Sequence, residues 1–150
     1  MIPNMNKRYL FVVLITSLFF VASCSNINKN DSNLKTSELV VRSYFESWNS
    51  KDYKTQYDQI SDGFKRIDPN AKDLSIFSKY SAKFFEQANG IEIVSIKEVL
   101  NDGETATVDY TINIIKEDGS KTKFSSTYTL RFRENGWKLI HPYGENIDTS

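Results

Sequence analysis

The chain predicts an α+β domain in which three N-terminal helices pack on a curved, four-stranded antiparallel meander. Three observations carry that expectation. Apolar residues recur at helical spacing up to Gly90, and beyond it they alternate with polar ones. The alternating half is punctuated by Asp102-Gly103, Asp118-Gly119 and Asn135-Gly136. A period near 3.6 marks one face of a helix, and a period of 2 marks a strand with one buried side. Asx-Gly pairs supply the positive φ that hairpin turns need. Helices followed by a meander pack together on one face of the sheet.

Thr36 or Ser37 caps the first helix, with Glu38 in the favourable first turn. Val41, Tyr44, Phe45 and Trp48 then fall at i, i+3, i+4 and i+7. Asn49-Ser50 interrupts this pattern, and Ser50 offers a cap to a second helix carrying Tyr53, Tyr57, Ile60 and Phe64, with Gly63 near its end. Asp68-Pro69-Asn70 forms a turn or helix start. The third helix aligns Leu74, Phe77, Ser81, Phe84, Phe85 and Ala88, and Gly90 ends it as C′.

The strands are expected over 91–100, 105–115, 122–133 and 137–143. In the second, Ala106, Val108, Tyr110, Ile112 and Ile114 share the inner face, leaving Thr107, Asp109, Thr111 and Asn113 outside. A two-residue Asn135-Gly136 turn pairs Phe132 with Leu139 and Leu130 with His141. The same turn at Asp118-Gly119 would set Ile112 against Ser125, apolar against polar. A three-residue loop over 117–119, with Gly119 left-handed, instead pairs Ile112 with Phe124 and Val108 with Tyr128. Ile91 and Ile93 differ in parity from Val94, Ile96 and Leu100, which requires a bulge near Ile93–Val94.

The N-terminus carries an address. Lys7 and Arg8 precede an apolar run over 9–22, with no acid before Cys24, the sole cysteine. A charged start, a short apolar core and small residues at its end mark a secretory signal. A spanning helix would need roughly 20 apolar residues. Val21-Ala22-Ser23-Cys24 resembles a bacterial lipobox, which implies cleavage after residue 23 and diacylglycerol on Cys24. Cys24 as a core residue or the tail of an anchor helix are the plainer alternatives. Two acyl chains give stable membrane anchoring where one does not, and an acylated Cys24 leaves no thiol for a disulfide, a metal or nucleophilic attack. The expected organisation is therefore a signal over 1–23, a lipidated cysteine and flexible tether over 24–35, one domain over 36–145 and a tail over 146–150. Removing 1–23 leaves 19 acidic against 17 basic residues, because only Lys7 and Arg8 are lost. That balance argues against a nucleic-acid partner.

At the helix 1–2 junction stand Tyr44-Phe45, Trp48-Asn49 and Lys51-Asp52-Tyr53, and Asn135-Gly136-Trp137-Lys138-Leu139 opens the last strand. With the element order, these residues make residues 36–143 resemble the NTF2-like superfamily, a cone of curved sheet closed by three helices. They are similar to DUF4878-type lipoprotein domains and to the NTF2-like N-terminal domain of some penicillin-binding proteins. The resemblance implies isomerases, cyclases, dehydratases or non-catalytic binding modules, and in the enzymes an Asp–His or Tyr–Asp pair inside the cone. His141, the one histidine, is placed inward by the register, with no carboxylate expected beside it because Asp109 has outward parity.

Trp48, Tyr110, Ser126, Tyr128 and His141 form the candidate cavity, either a pocket for an apolar ligand with a polar handle or simply core. Lys121, Lys123, Arg131, Arg133 and Lys138 form a basic stripe on the convex face, partly offset by Asp109 and Glu98. It offers a surface for an anionic partner or a set of solvated cross-strand charges. Nucleotide-loop, zinc, thiol-redox and nucleophile-elbow motifs are absent from the sequence, so no cofactor and no metal are expected. The resulting expectation is a non-enzymatic, lipid-anchored envelope protein at the extracytoplasmic face of a bacterial membrane. Its domain would bind a protein partner or a small apolar ligand. The alternative is a ligand-binding or enzymatic domain that uses the aromatic cavity with His141.

Overall fold

The computed structural model describes residues 36–142 and Gly144, all within the unit Leu34–Ser150. The expected signal, Cys24 and the tether and tail lie outside the described residues. Among those described, no helix is long and apolar enough to cross a membrane.

Helix α1, Ser37–Asn49, starts at Thr36, whose hydroxyl accepts from the Leu39 N–H at 3.3 Å. It buries Val40, Val41 and Phe45 against the sheet. Asp52, and not Ser50, caps α2, Tyr53–Asp58. The second expected helix then breaks. Leu139 N–H donates to the Gln59 carbonyl at 2.9 Å, and Ser61 N–H donates to the Leu139 carbonyl at 2.8 Å. Residues 59–61 therefore spend their backbone groups covering the free edge of the last strand, which would otherwise present unpaired groups. Ser61 restarts the helix as cap of α3, Asp62–Ile67, accepting from Phe64 N–H at 2.9 Å. Gly63 consequently lies inside α3 and not at a helix end. After a 3₁₀ turn at Pro69–Ala71 comes α4, Leu74–Ala82, capped by Asp73, and a second 3₁₀ turn at Lys83–Glu86. Among the described residues four α-helices thus replace the expected three, and Gly90 opens a strand instead of closing a helix.

The sheet runs β1 (Gly90–Asn101), β2 (Thr105–Ile115), β3 (Lys121–Arg133) and β4 (Gly136–Leu139), antiparallel in that order. Between β2 and β3 the register is the expected one, Val108 opposite Tyr128 and Ile112 opposite Phe124, with Gly119 at φ +79°. At β3–β4 the turn closes on Arg133 and Gly136, pairing Phe132 with Trp137 and Leu130 with Leu139. This shifts the expected pairing by two residues, and an even shift leaves every side chain on its own face. In β1 the expected bulge falls at Val94, and a second follows at Val99. The second bulge turns Leu100 out to 60% exposure. Glu98 pairs with buried Val108 on the inner face, where its carboxylate accepts from the buried Ser37 hydroxyl. It is therefore no part of the convex face. The result is a curved α+β cone with its core between α1 and the inner faces of β2, β3 and β4.

Candidate functional site

The inner wall is made of rings. Tyr110 stands opposite Ser126, and that small partner leaves Tyr110 free to lean toward the diagonal neighbours Tyr128 and Phe124. Tyr110 and Tyr128 stack with centroids 4.7 Å apart, and Phe45 closes on Tyr110 at 5.0 Å. Tyr44 meets Tyr128 edge-on at 5.8 Å. Phe124 is 47% exposed and Ser126 is exposed, so they form a rim. Trp48 touches this wall through Tyr44, but its indole N–H donates to the Ser81 carbonyl at 3.0 Å and its ring packs on Phe84 at 4.6 Å. It holds α1 to α4 at the margin of the wall.

His141 lies just beyond β4, not opposite Leu130, with its ring edge-on to Phe64 at 4.9 Å. Its Nε2 is 3.9 Å from Asp68 Oδ2, and the two side chains are 13% and 22% exposed. The expectation that no carboxylate stands beside His141 is thereby corrected. Asp68 uses Oδ1 to accept from Asn70 N–H at 2.8 Å, starting the 3₁₀ turn, and this anchors the carboxylate with Oδ2 toward the imidazole. The Asp68-Pro69-Asn70 turn was visible in the sequence; its closure onto residue 141 was not.

Tyr44 is the contribution of α1 to the wall, edge-on to Tyr128 and to Phe45. Burial pushes its phenol well above the usual tyrosine value, a hydrogen-bonding influence from Gln56 opposes the shift, and the charges of Tyr110, Tyr80 and Asp68 add to it. Burial likewise raises Tyr128, with Tyr44 and Tyr110 contributing. These phenols therefore stay protonated at neutral pH, as uncharged donors and acceptors in a low-dielectric wall. Helical spacing put Tyr44 on the inner face of its helix, but neither it nor Asp68 was among the candidate cavity residues read from the sequence.

The basic stripe is divided. Lys121 reaches both Glu92 carboxylate oxygens at 3.0 Å, and Arg131 stands opposite Lys138. Arg133 donates to the Phe132 carbonyl at 2.9 Å, and Lys138 donates to the Asp58 carbonyl. Arg133 and Lys138 join Lys65, Asp58, Asp62 and Glu134 around a groove of about 620 Å3. Both signs of charge line it, so it is no simple anion-binding face. Lys123 lies exposed opposite Asn113, and Asp109 points outward as expected, accepting from Thr127 at 2.7 Å.

Residues 38–143 match the SnoaL-like domain family. Three solved structures share the fold. A SEC-C motif protein from Rhodopseudomonas palustris superposes with TM-score 0.55 at 11% identity, covering 71% of this chain and 76% of its own. A candidate dehydratase of the NTF2-like family from Streptomyces avermitilis gives 0.51 at 18%, over 75% of this chain and 94% of its own. An NTF2-like protein from Shewanella oneidensis gives 0.52 at 11%, over 67% and 89%. Comparison with curated proteins finds no match. The domain is NTF2-like, as the resemblance implied. The expectation of a non-enzymatic protein is corrected by the SnoaL-like family match. One of its main grounds, a histidine without an acid, also fails at Asp68.

Proposed function

Because the chain belongs to the SnoaL-like domain family, we propose that its domain is a small-molecule enzyme working at the aromatic wall, with His141 and Asp68 as its acid–base pair. The single observation that carries this reading is the carboxylate 3.9 Å from the only imidazole of the sequence. A neutral imidazole accepts a proton from a substrate C–H or O–H, and a carboxylate behind it stabilises the imidazolium that results. The separation is longer than a hydrogen bond, as is common before substrate closes a site. Tyr44, Tyr110 and Tyr128 supply stacking surface, and neutral phenols suit an oxygen on which negative charge develops. The reaction class this supports is proton abstraction beside a carbonyl, the step shared by isomerisation and dehydration of an apolar ketone or alcohol.

The test needs no natural substrate. Exchange of the α-hydrogens of 2-tetralone into deuterium oxide, followed by NMR, reads proton abstraction directly. The wild-type protein should accelerate exchange, and His141→Ala and Asp68→Asn should each lose most of that acceleration. Exchange at the buffer rate with wild-type protein sinks the reading. The proposal also keeps Cys24 as the lipid attachment site, holding the domain at the extracytoplasmic membrane face. Its support is the Lys7-Arg8, apolar-run and Val21-Ala22-Ser23-Cys24 pattern.

A further inference from the structure

Arg133 ends β3 on the sheet face opposite Phe132, whose ring packs against the core. It therefore faces away from the ring wall, and it lines the groove of about 620 Å3 described above. One side of that groove is the β3–β4 turn, and the other is the break between α2 and α3. Backbone bonds from Leu139 to Gln59 and from Ser61 to Leu139 hold the two sides together, so the groove is formed without a ligand. A guanidinium carries five N–H donors. Among the described residues that of Arg133 meets one acceptor, the Phe132 carbonyl at 2.9 Å, and its buried Nε meets none. No described carboxylate pairs with it, although three acids line the same groove. Asp58 holds Lys54 at 2.7 Å, Asp62 holds Lys65 at 3.2 Å, and Glu134 stands exposed in the turn. A half-buried cation without a counter-charge is costly and needs an explanation.

We infer that this groove is a second binding site, outside the cone, for a short peptide with free ends. Its C-terminal carboxylate takes the Arg133 guanidinium, and its ammonium end faces Asp58 and Asp62 across the groove. A planar guanidinium matches a carboxylate with two parallel hydrogen bonds. Lys65, Arg133 and Lys138 balance Asp58, Asp62 and Glu134, so the lining has no net charge and suits a ligand that also has none. Phosphate brings a second negative charge, which those acids would repel. Ile60 is the one apolar side chain in the lining, and at 1% exposure it offers almost no surface. The groove therefore reads the charged ends of the peptide and not its side chains. This site stands apart from the reaction proposed at His141 and Asp68.

Calorimetry with the full chain compares Ala-Ala-Ala, its C-terminal amide, its N-acetyl form, free alanine and inorganic phosphate, for wild type and Arg133→Gln. Wild type should bind Ala-Ala-Ala about tenfold or more tightly than the amide, which lacks the charge that Arg133 pairs. The acetylated peptide, alanine and phosphate should each bind more weakly than Ala-Ala-Ala. R133Q should bind Ala-Ala-Ala and its amide alike. It should also melt at the wild-type temperature or higher, since it removes a cation with no carboxylate partner. Equal binding of peptide and amide by wild type, or a preference kept by R133Q, overturns the role of Arg133. Acetylation without effect overturns the contact with Asp58 and Asp62. Alanine or phosphate binding as tightly as the peptide overturns the ligand class, and failure of Ala-Ala-Ala to bind wild type overturns the site. A lowered melting temperature in R133Q means the fold already uses the guanidinium, and it also overturns the inference.

Discussion

Asn49, the last residue of α1, holds both backbone groups of Ile91. Its side-chain amide donates to the Ile91 carbonyl at 2.5 Å, and the Ile91 N–H donates to Asn49 Oδ1 at 2.7 Å. Ile91 is 4% exposed and lies near the start of β1, an edge strand. Asn49→Ala strands one donor and one acceptor there, each costing about 1–3 kcal/mol when buried. Water regains part of this at a sheet edge, so the expected loss is about 2–4 kcal/mol, toward the lower half of that sum. For a domain of about 100 residues, each kcal/mol lowers Tm by about 4 °C or more, giving a fall of about 10–15 °C. Asn49→Asp should be no better, because it keeps the acceptor for Ile91 N–H but sets a carboxylate against the carbonyl. The approach is close enough to explain Gly90, where a Cβ would stand 3.3 Å from Asn49 Oδ1 at φ +156°. Urea denaturation and calorimetry measure both variants. A loss below about 1 kcal/mol for Asn49→Ala, or an Asn49→Asp protein as stable as wild type, refutes the clamp.

Other expectations follow from the same structure. Burial raises the Tyr44 and Tyr128 phenols above their ordinary value of 10.0, so the unfolded chain loses these protons first. Stability should be level below about pH 10 and decline as pH rises from there toward the folded values, a decline that Tyr44→Phe with Tyr128→Phe should flatten in urea titrations. Leu130→Ala removes a side chain of 0% exposure and should cost about 2–5 kcal/mol in the same assay. Gly119→Ala meets no atom within 4 Å but sits at φ +79°, so it should cost only about 1–2 kcal/mol of backbone strain. Cys24→Ala should move the protein from the membrane to the soluble fraction of cells, and unchanged membrane retention would remove the anchor.

The parts legible from the sequence were those in which neighbouring residues constrain one another. Alternation along β2 and β3, combined with the parity of the Asp118-Gly119 loop, left one sensible register, and Val108 does stand opposite Tyr128. At Asn135-Gly136 apolar residues match in either of two registers two residues apart, so parity could not choose between them. The break at Gln59–Ser61 was hidden because Ile60 keeps helical spacing while its backbone neighbours bond to Leu139, about 80 residues away. The ring wall was half legible: Tyr110 and Tyr128 follow from strand parity, whereas Tyr44 reaches them only through the crossing of α1. Asp68 beside His141 was not legible, since no local periodicity joins a 3₁₀ cap to the end of a strand.

The central claim is that Asp68 and His141 act as one unit on a bound small molecule. A double-mutant cycle in the 2-tetralone exchange assay tests it most directly. If the pair is a unit, Asp68→Asn, His141→Ala and the double variant should lose nearly the same acceleration. Losses that multiply independently in the double variant, or single variants that exchange as fast as wild type, would contradict it.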